Sequence, residues 1–145
     1  MTGRSVVRYA RAAVLAARFV VVLGALEVAL RVTSVPRAAR AFGVPLLEDG
    51  GPSDGDFDLS SLDDDEVLAL RVLRRALRLP GVNGTCLRSS VLAGRVLRRR
   101  SPRLVLGVTK AGGVVRAHAW LRVAGRDLDL ERGSGYRVLA VGGKG

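Results

Sequence analysis

Cys86 is the only cysteine of the 145-residue chain, and His118 is the only histidine. A lone cysteine makes no internal disulfide, so a stapled secreted scaffold is excluded. One thiol and one imidazole also fall short of the three or four ligands of a zinc site. No metal or other cofactor is therefore expected. What a thiol and an imidazole can form is a nucleophile and its base. Thr85-Cys86 precedes Leu87, Val91, Leu92, Ala93, Val96 and Leu97, whose spacing predicts a largely buried helix. Thr85 is its expected N-cap, and Cys86 falls in its first turn. A helix N-terminus lowers a thiol's pKa, and a neighbouring imidazolium does the same.

A third member follows from strand register. Val114–Val123 alternates Val115, Ala117, Ala119, Leu121 and Val123 with Arg116, His118, Trp120 and Arg122. Ala124-Gly125 reads as a two-residue hairpin loop, with Arg126–Leu130 as the returning strand. Val123 then pairs with Arg126, Arg122 with Asp127, and Trp120 with Asp129. His118 and Asp129 become diagonal neighbours on one face, within side-chain reach. Asp127 faces Arg122 as a cross-strand ion pair. Asp129 is thus the expected partner of His118, with Asp127 the alternative if the register slips by one residue. Each residue also has an inert reading, Cys86 as small core filler and His118 as an ordinary surface or core side chain. Asp127 and Asp129 could suggest a metal carboxylate pair, but further ligands are lacking. Gly133-Ser134-Gly135 reads as a turn, not a phosphate loop.

The elements that must hold these groups follow from charge and periodicity. The chain carries 24 Lys+Arg against 13 Asp+Glu, a net +11 in which only Lys110 and Lys144 are lysines. Residues 1–45 have net +6, residues 46–66 net −9 with no base, and residues 67–145 net +14. This predicts an N-terminal helical arm (1–45), an acidic linker (46–60) and a main domain (61–145). In the arm, one helix is expected over about residues 4–32, and a short one after Pro36. In the main domain, Ser61 before Asp63-Asp64-Asp65 predicts a helix start. Pro80-Gly81 and Asn83-Gly84 end that helix. The Cys86 helix comes next. Strands follow from Leu104, with a fourth expected over Tyr136–Val141. Helices followed by antiparallel strands make an α+β domain.

Arg4, Arg8 and Arg11 before an apolar stretch mimic a signal peptide. Arg18 interrupts that stretch and Glu27 closes it, leaving Phe19–Leu26 as its longest uncharged run. That is far short of the ~20 residues of a bilayer span. A helix docked on the main domain or a partner is expected, with no transmembrane span and a cytoplasmic location. Contact with a membrane surface is the other reading of such a basic amphipathic helix.

Thr85-Cys86-Leu87, the helix through Leu97-Arg98-Arg99-Arg100, Leu106-Gly107-Val108, Ala117-His118-Ala119-Trp120 and Val123-x-Gly125-x-x-x-Asp129 carry a resemblance. Over about residues 70–130 the chain resembles the transglutaminase-like leader peptidases of lasso-peptide biosynthesis. The likeness extends loosely to the arm and its Pro36-Arg37. It implies a papain-like cysteine protease fold, with Cys86 as nucleophile, His118 as general base and acid, and Asp129 orienting the imidazole. Trp120 and Thr85 would border the substrate groove. The chain departs from that family's pattern at Ser89 and at Ser101-Pro102. The resemblance further implies a precursor peptide as substrate, a separate leader-recognition protein that captures it, and a macrolactam cyclase that takes the freed core peptide. Two other functions stay open. One is a transglutaminase-like acyltransferase or deamidase, which shares the thioester intermediate. The other is a non-catalytic basic module for nucleic acid or anionic surfaces. Few aromatics are available for base stacking, so nucleic acid is not an expected partner.

Overall fold

The computed structural model describes residues 3–48, 50–82, 85–131 and 137–138. Four helices run in order: α1 (Gly3–Val32), α2 (Val35–Ala41), α3 (Asp64–Ala76) and α4 (Cys86–Val96). Strands β1 (Arg103–Ala111), β2 (Val114–Val123), β3 (Arg126–Leu128) and β4 (Arg137–Val138) form one antiparallel sheet ordered β3-β2-β1-β4. The arrangement is α+β, with the N-terminal helix packed on α3 and α4. The rest of the expected fourth strand lies outside the described residues.

One core joins both layers. Leu26 of α1, Leu73 of α3 and Leu92 of α4 are fully or almost fully buried with Leu104 and Leu121 of the sheet. Gly94 is the closest point. A Cβ there would lie 2.6 Å from Val44 Cγ2 and 3.2 Å from Leu121 Cδ2. Only a hydrogen at this position lets α4 settle onto β2, and Ser90 Oγ then donates to the Ala119 carbonyl at 3.0 Å.

Counting uncharged runs understates α1. By length and composition, Ser5–Val32 is long and apolar enough to cross a membrane. One face of it is nevertheless committed to this chain: Phe19, Val22, Leu23 and Leu30 pack around Leu26 on the core. Glu27 pairs with Arg88 of α4, and Arg11 pairs with Asp65 of α3 at 3.1 Å.

The start of α3 differs from the expected one. Its N-cap is Asp63, not Ser61. Asp63 Oδ1 accepts from Glu66 N at 2.7 Å, and Glu66 Oε2 accepts from Asp63 N at 3.1 Å. Ser61 closes a preceding 3₁₀ turn (Leu59–Ser61), donating to the Asp58 carbonyl. The reciprocal box satisfies two orphan donors, where Ser61 alone could satisfy one.

The acidic stretch is exposed along much of its length, yet its backbone is bonded to the sheet. Leu47 N donates to Leu104 O at 2.8 Å. Phe57 N donates to Asp127 O at 2.8 Å, and Asp127 N donates to Gly55 O at 2.9 Å. The second pair covers the outer edge of β3, a row of groups that sheets otherwise leave open to other chains.

Glu66 also accepts a fork from Arg100, with Nη2–Oε2 at 2.7 Å and Nε–Oε1 at 2.9 Å. This hydrogen bonding holds the Glu66 carboxyl below its ordinary 4.5. Arg88 does the same to Glu27, and the Ser60 donor does so to Asp58. Each group then takes up its proton at lower pH in the native chain than in the unfolded one. The stability they contribute is full above the unfolded value and disappears as pH falls through the native one. Thermal midpoints should be level from neutral pH to about 5 and drop below that. Glu66→Gln should be less stable at neutral pH and should lose less on acidification. An unchanged acid slope in circular-dichroism melts of Glu66→Gln would remove Glu66 from this account.

Candidate active site

The hairpin after β2 sets the geometry. Ala124 and Gly125 both have positive φ, 50° and 79°, as a two-residue turn matched to strand twist requires. The register is the one this turn implies: Val123 opposite Arg126, Arg122 opposite Asp127, Leu121 opposite Leu128. Asp127 then meets Arg122, with Nε–Oδ1 at 2.7 Å and Nη2–Oδ2 at 3.2 Å. Arg122 Nη1 also donates to Gly51 O at 2.6 Å, which ties the acidic stretch over this strand. Its guanidinium is nearly buried, so the pair is a structural one.

Asp129 lies just past the end of β3. Its Oδ2 is 2.7 Å from His118 Nε2. Its Oδ1 accepts from Glu131 N at 2.9 Å, which fixes the carboxylate's orientation. His118 is only 7% exposed. The Trp120 ring stacks on the imidazole, with centroids 5.8 Å apart and planes 25° from parallel. Trp120 is itself buried, and its Nε1 is the one buried side-chain nitrogen or oxygen among the described residues without a hydrogen-bond partner. The imidazole is thus held at one nitrogen by a carboxylate and on one face by an indole.

Cys86 is the first residue of α4 and is part-buried against the core. Thr85 occupies the N-cap position, but its hydroxyl does not cap a backbone N–H of the helix. It accepts from Arg88 Nη1 at 2.8 Å instead. Arg88 also reaches Glu27, so one guanidinium ties the start of α4 to α1. Ser89, a departure noted above, is buried and donates to Thr85 O at 3.0 Å. Ser90 contacts residue 119 and Gly94 contacts residue 121.

The structure joins His118 to Asp129 and joins Asp127 to Arg122. Ala119, Leu121 and Val123 point into the core beneath the helices, and His118, Trp120 and Arg122 alternate with them along β2. From His118 to Val123 both faces are buried, whereas Val114–Ala117 are exposed. Among the described residues, no group of His, Cys, Asp and Glu side chains is arranged to hold a metal ion. Trp120 stacking and the Glu131 N–H on Asp129 had no local signal in the sequence, because both depend on how β2 and the chain after β3 pack.

Residues 6–141 match the transglutaminase-like superfamily. The chain belongs to that superfamily. The match takes in α1 as well as α3, α4 and the sheet, so the helical arm lies within the family region. The superfamily includes cysteine peptidases and acyltransferases, and its members are often cysteine-dependent enzymes. No curated protein and no solved structure matches this transglutaminase-like chain.

Proposed function

We propose that this transglutaminase-like protein is a cysteine peptidase that removes the leader from a ribosomally made lasso-peptide precursor. The observation that supports it most directly is the 2.7 Å contact between His118 Nε2 and Asp129 Oδ2, in a chain whose one cysteine opens a helix packed on the same strand. With Nε2 turned to Asp129, Nδ1 is the nitrogen that exchanges protons with the thiol. The reaction requires Cys86 Sγ within hydrogen-bond reach of that nitrogen.

Cys86 Sγ attacks the carbonyl carbon of the last leader residue, and His118 takes the thiol proton. Backbone N–H groups of the first turn of α4 face the developing oxyanion. The tetrahedral intermediate collapses, and His118 gives its proton to the departing amine of the core peptide. A thioester to the leader remains. Water adds with His118 as base, releasing the leader acid and the thiol. Asp129 keeps the imidazole oriented and stabilises its charged form throughout. The core peptide leaves with a free amine, which a macrolactam cyclase can use. A separate leader-recognition protein presents the precursor, and the reaction runs in the cytoplasm.

Incubation with a leader-bearing precursor and its leader-binding protein tests this by mass. Hydrolysis gives two fragments whose masses sum to the precursor plus one water. An amine-linked product, or an intact chain changed only at a glutamine side chain, would overturn peptidase action in favour of acyl transfer or deamidation.

A further inference from the structure

We propose that two copies of this chain pair through the outward face of α1 as an antiparallel helix pair. Phe19 and Leu26 fix which side of α1 faces its own core. The opposite side shows a seven-residue period. Val7, Val14, Val21 and Val28 recur at that interval and are between 59% and 72% exposed. Ala10, Ala17, Gly24 and Arg31 recur at the same interval three residues later, and all are exposed. Valine at one position, and a small residue at three of the four sites of the other, over nearly four heptads, is the seam of two supercoiled helices.

Gly24 separates this from a merely apolar surface. It sits inside a helix, where glycine costs about 1 kcal/mol relative to alanine. A Cβ added there would meet nothing within 4 Å in this chain. Gly94 has its reason in Val44 and Leu121; Gly24 has none in its own fold. Close approach of a second helix supplies one.

The large and small positions also specify direction. Two antiparallel copies crossing at the level of Phe19 set Val14 against Gly24, Val21 against Ala17, and Val28 against Ala10 of the other copy. Every such layer then holds one large and one small side chain. Parallel copies would stack Val14 on Val14 and leave a void at Gly24, with Arg31 on Arg31. The antiparallel pair also separates the two basic N-termini and opposes the helix dipoles. Arg18 lies at the border of the stripe and meets its own copy at the solvent edge of the crossing. Association should therefore tighten with salt.

The four seam valines alone expose roughly 400 Å², about half of the ~800 Å² per partner of a stable interface, and the exposed Ala10, Ala17, Gly24 and flanking Val6, Val20 and Val32 adjoin them. The stripe lacks the Trp, Phe and Leu with which interfacial helices enter a bilayer.

Light scattering and sedimentation of the full chain test the pairing. Twice the chain mass is expected at micromolar concentration, more so at higher salt. Val21→Glu touches the most exposed seam valine, and should weaken association by about 100-fold while leaving the circular-dichroism spectrum unchanged. In a Cys86→Ser background, mixing Val14→Cys with Gly24→Cys should give a mixed disulfide dimer that neither protein forms alone. A monomer at all concentrations, or a dimer indifferent to Val21→Glu, overturns the proposal. Self-linking of Val14→Cys overturns the antiparallel arrangement. Flotation of a monomer with phosphatidylglycerol vesicles, lost in Val21→Glu and in high salt, overturns it in favour of a membrane surface.

Discussion

Cys86→Ala is expected to reduce precursor cleavage by at least about 10⁴-fold while leaving the fold intact. The expectation rests on composition as much as on geometry. The chain has one thiol, so no second nucleophile of its kind can substitute. Cys86 is part-buried at the start of α4, and its removal exposes no fully buried cavity. The stability cost should stay within about 1 kcal/mol. His118→Ala should reduce cleavage comparably, and should slow alkylation of Cys86 by iodoacetamide about tenfold. These results are read from precursor masses over time, alkylation kinetics, and melts of each variant. A Cys86→Ala protein that cuts at the wild-type rate would end the cysteine-peptidase reading. Alkylation unaffected by His118→Ala would show that the imidazole does not serve this thiol.

The second large effect separates two aspartates only two residues apart. Asp129→Asn should lower turnover by about 10²–10⁴-fold with little change in substrate binding, because the amide no longer stabilises the imidazolium or fixes its orientation. Asp127→Asn should leave turnover within a few-fold of wild type and lower stability by about 2–4 kcal/mol, because the nearly buried Arg122 guanidinium loses its carboxylate. The two variants thus fail in different assays, one in kinetics and one in a melt. If Asp127→Asn were the inactive protein and Asp129→Asn the unstable one, the roles drawn from the 2.7 Å His118 contact would have to be exchanged.

Much of the local structure was legible in the residues. Long apolar periods gave α1 and α4, and the change from helical to alternating period after Pro102 marked the sheet. The helix start at Asp63 was misplaced by two residues because Ser61 is an equally good cap in isolation. Only the fork between Glu66 and Arg100, with the reciprocal bonds of Asp63 and Glu66, shows which one the chain uses. Reading the acidic stretch as a connection missed its backbone bonds to β1 and β3, since charge says nothing about where a main chain finds its partners.

By itself, the sequence determined the inventory and the local register. A single thiol, a single imidazole, and a two-residue Ala124-Gly125 turn that brings residue 129 to residue 118 are all properties of neighbouring positions. Short hydrogen-bonded turns are governed by local φ and ψ preferences, so they can be read from a few residues. Tertiary structure decided what depends on distant segments. It engaged Asp127 with Arg122 and Gly51, stacked Trp120 on His118, joined Arg88 to Glu27, and left one heptad face of α1 uncovered. Those outcomes turn on which surfaces compete for burial across intervals of tens of residues, and no local preference encodes that competition.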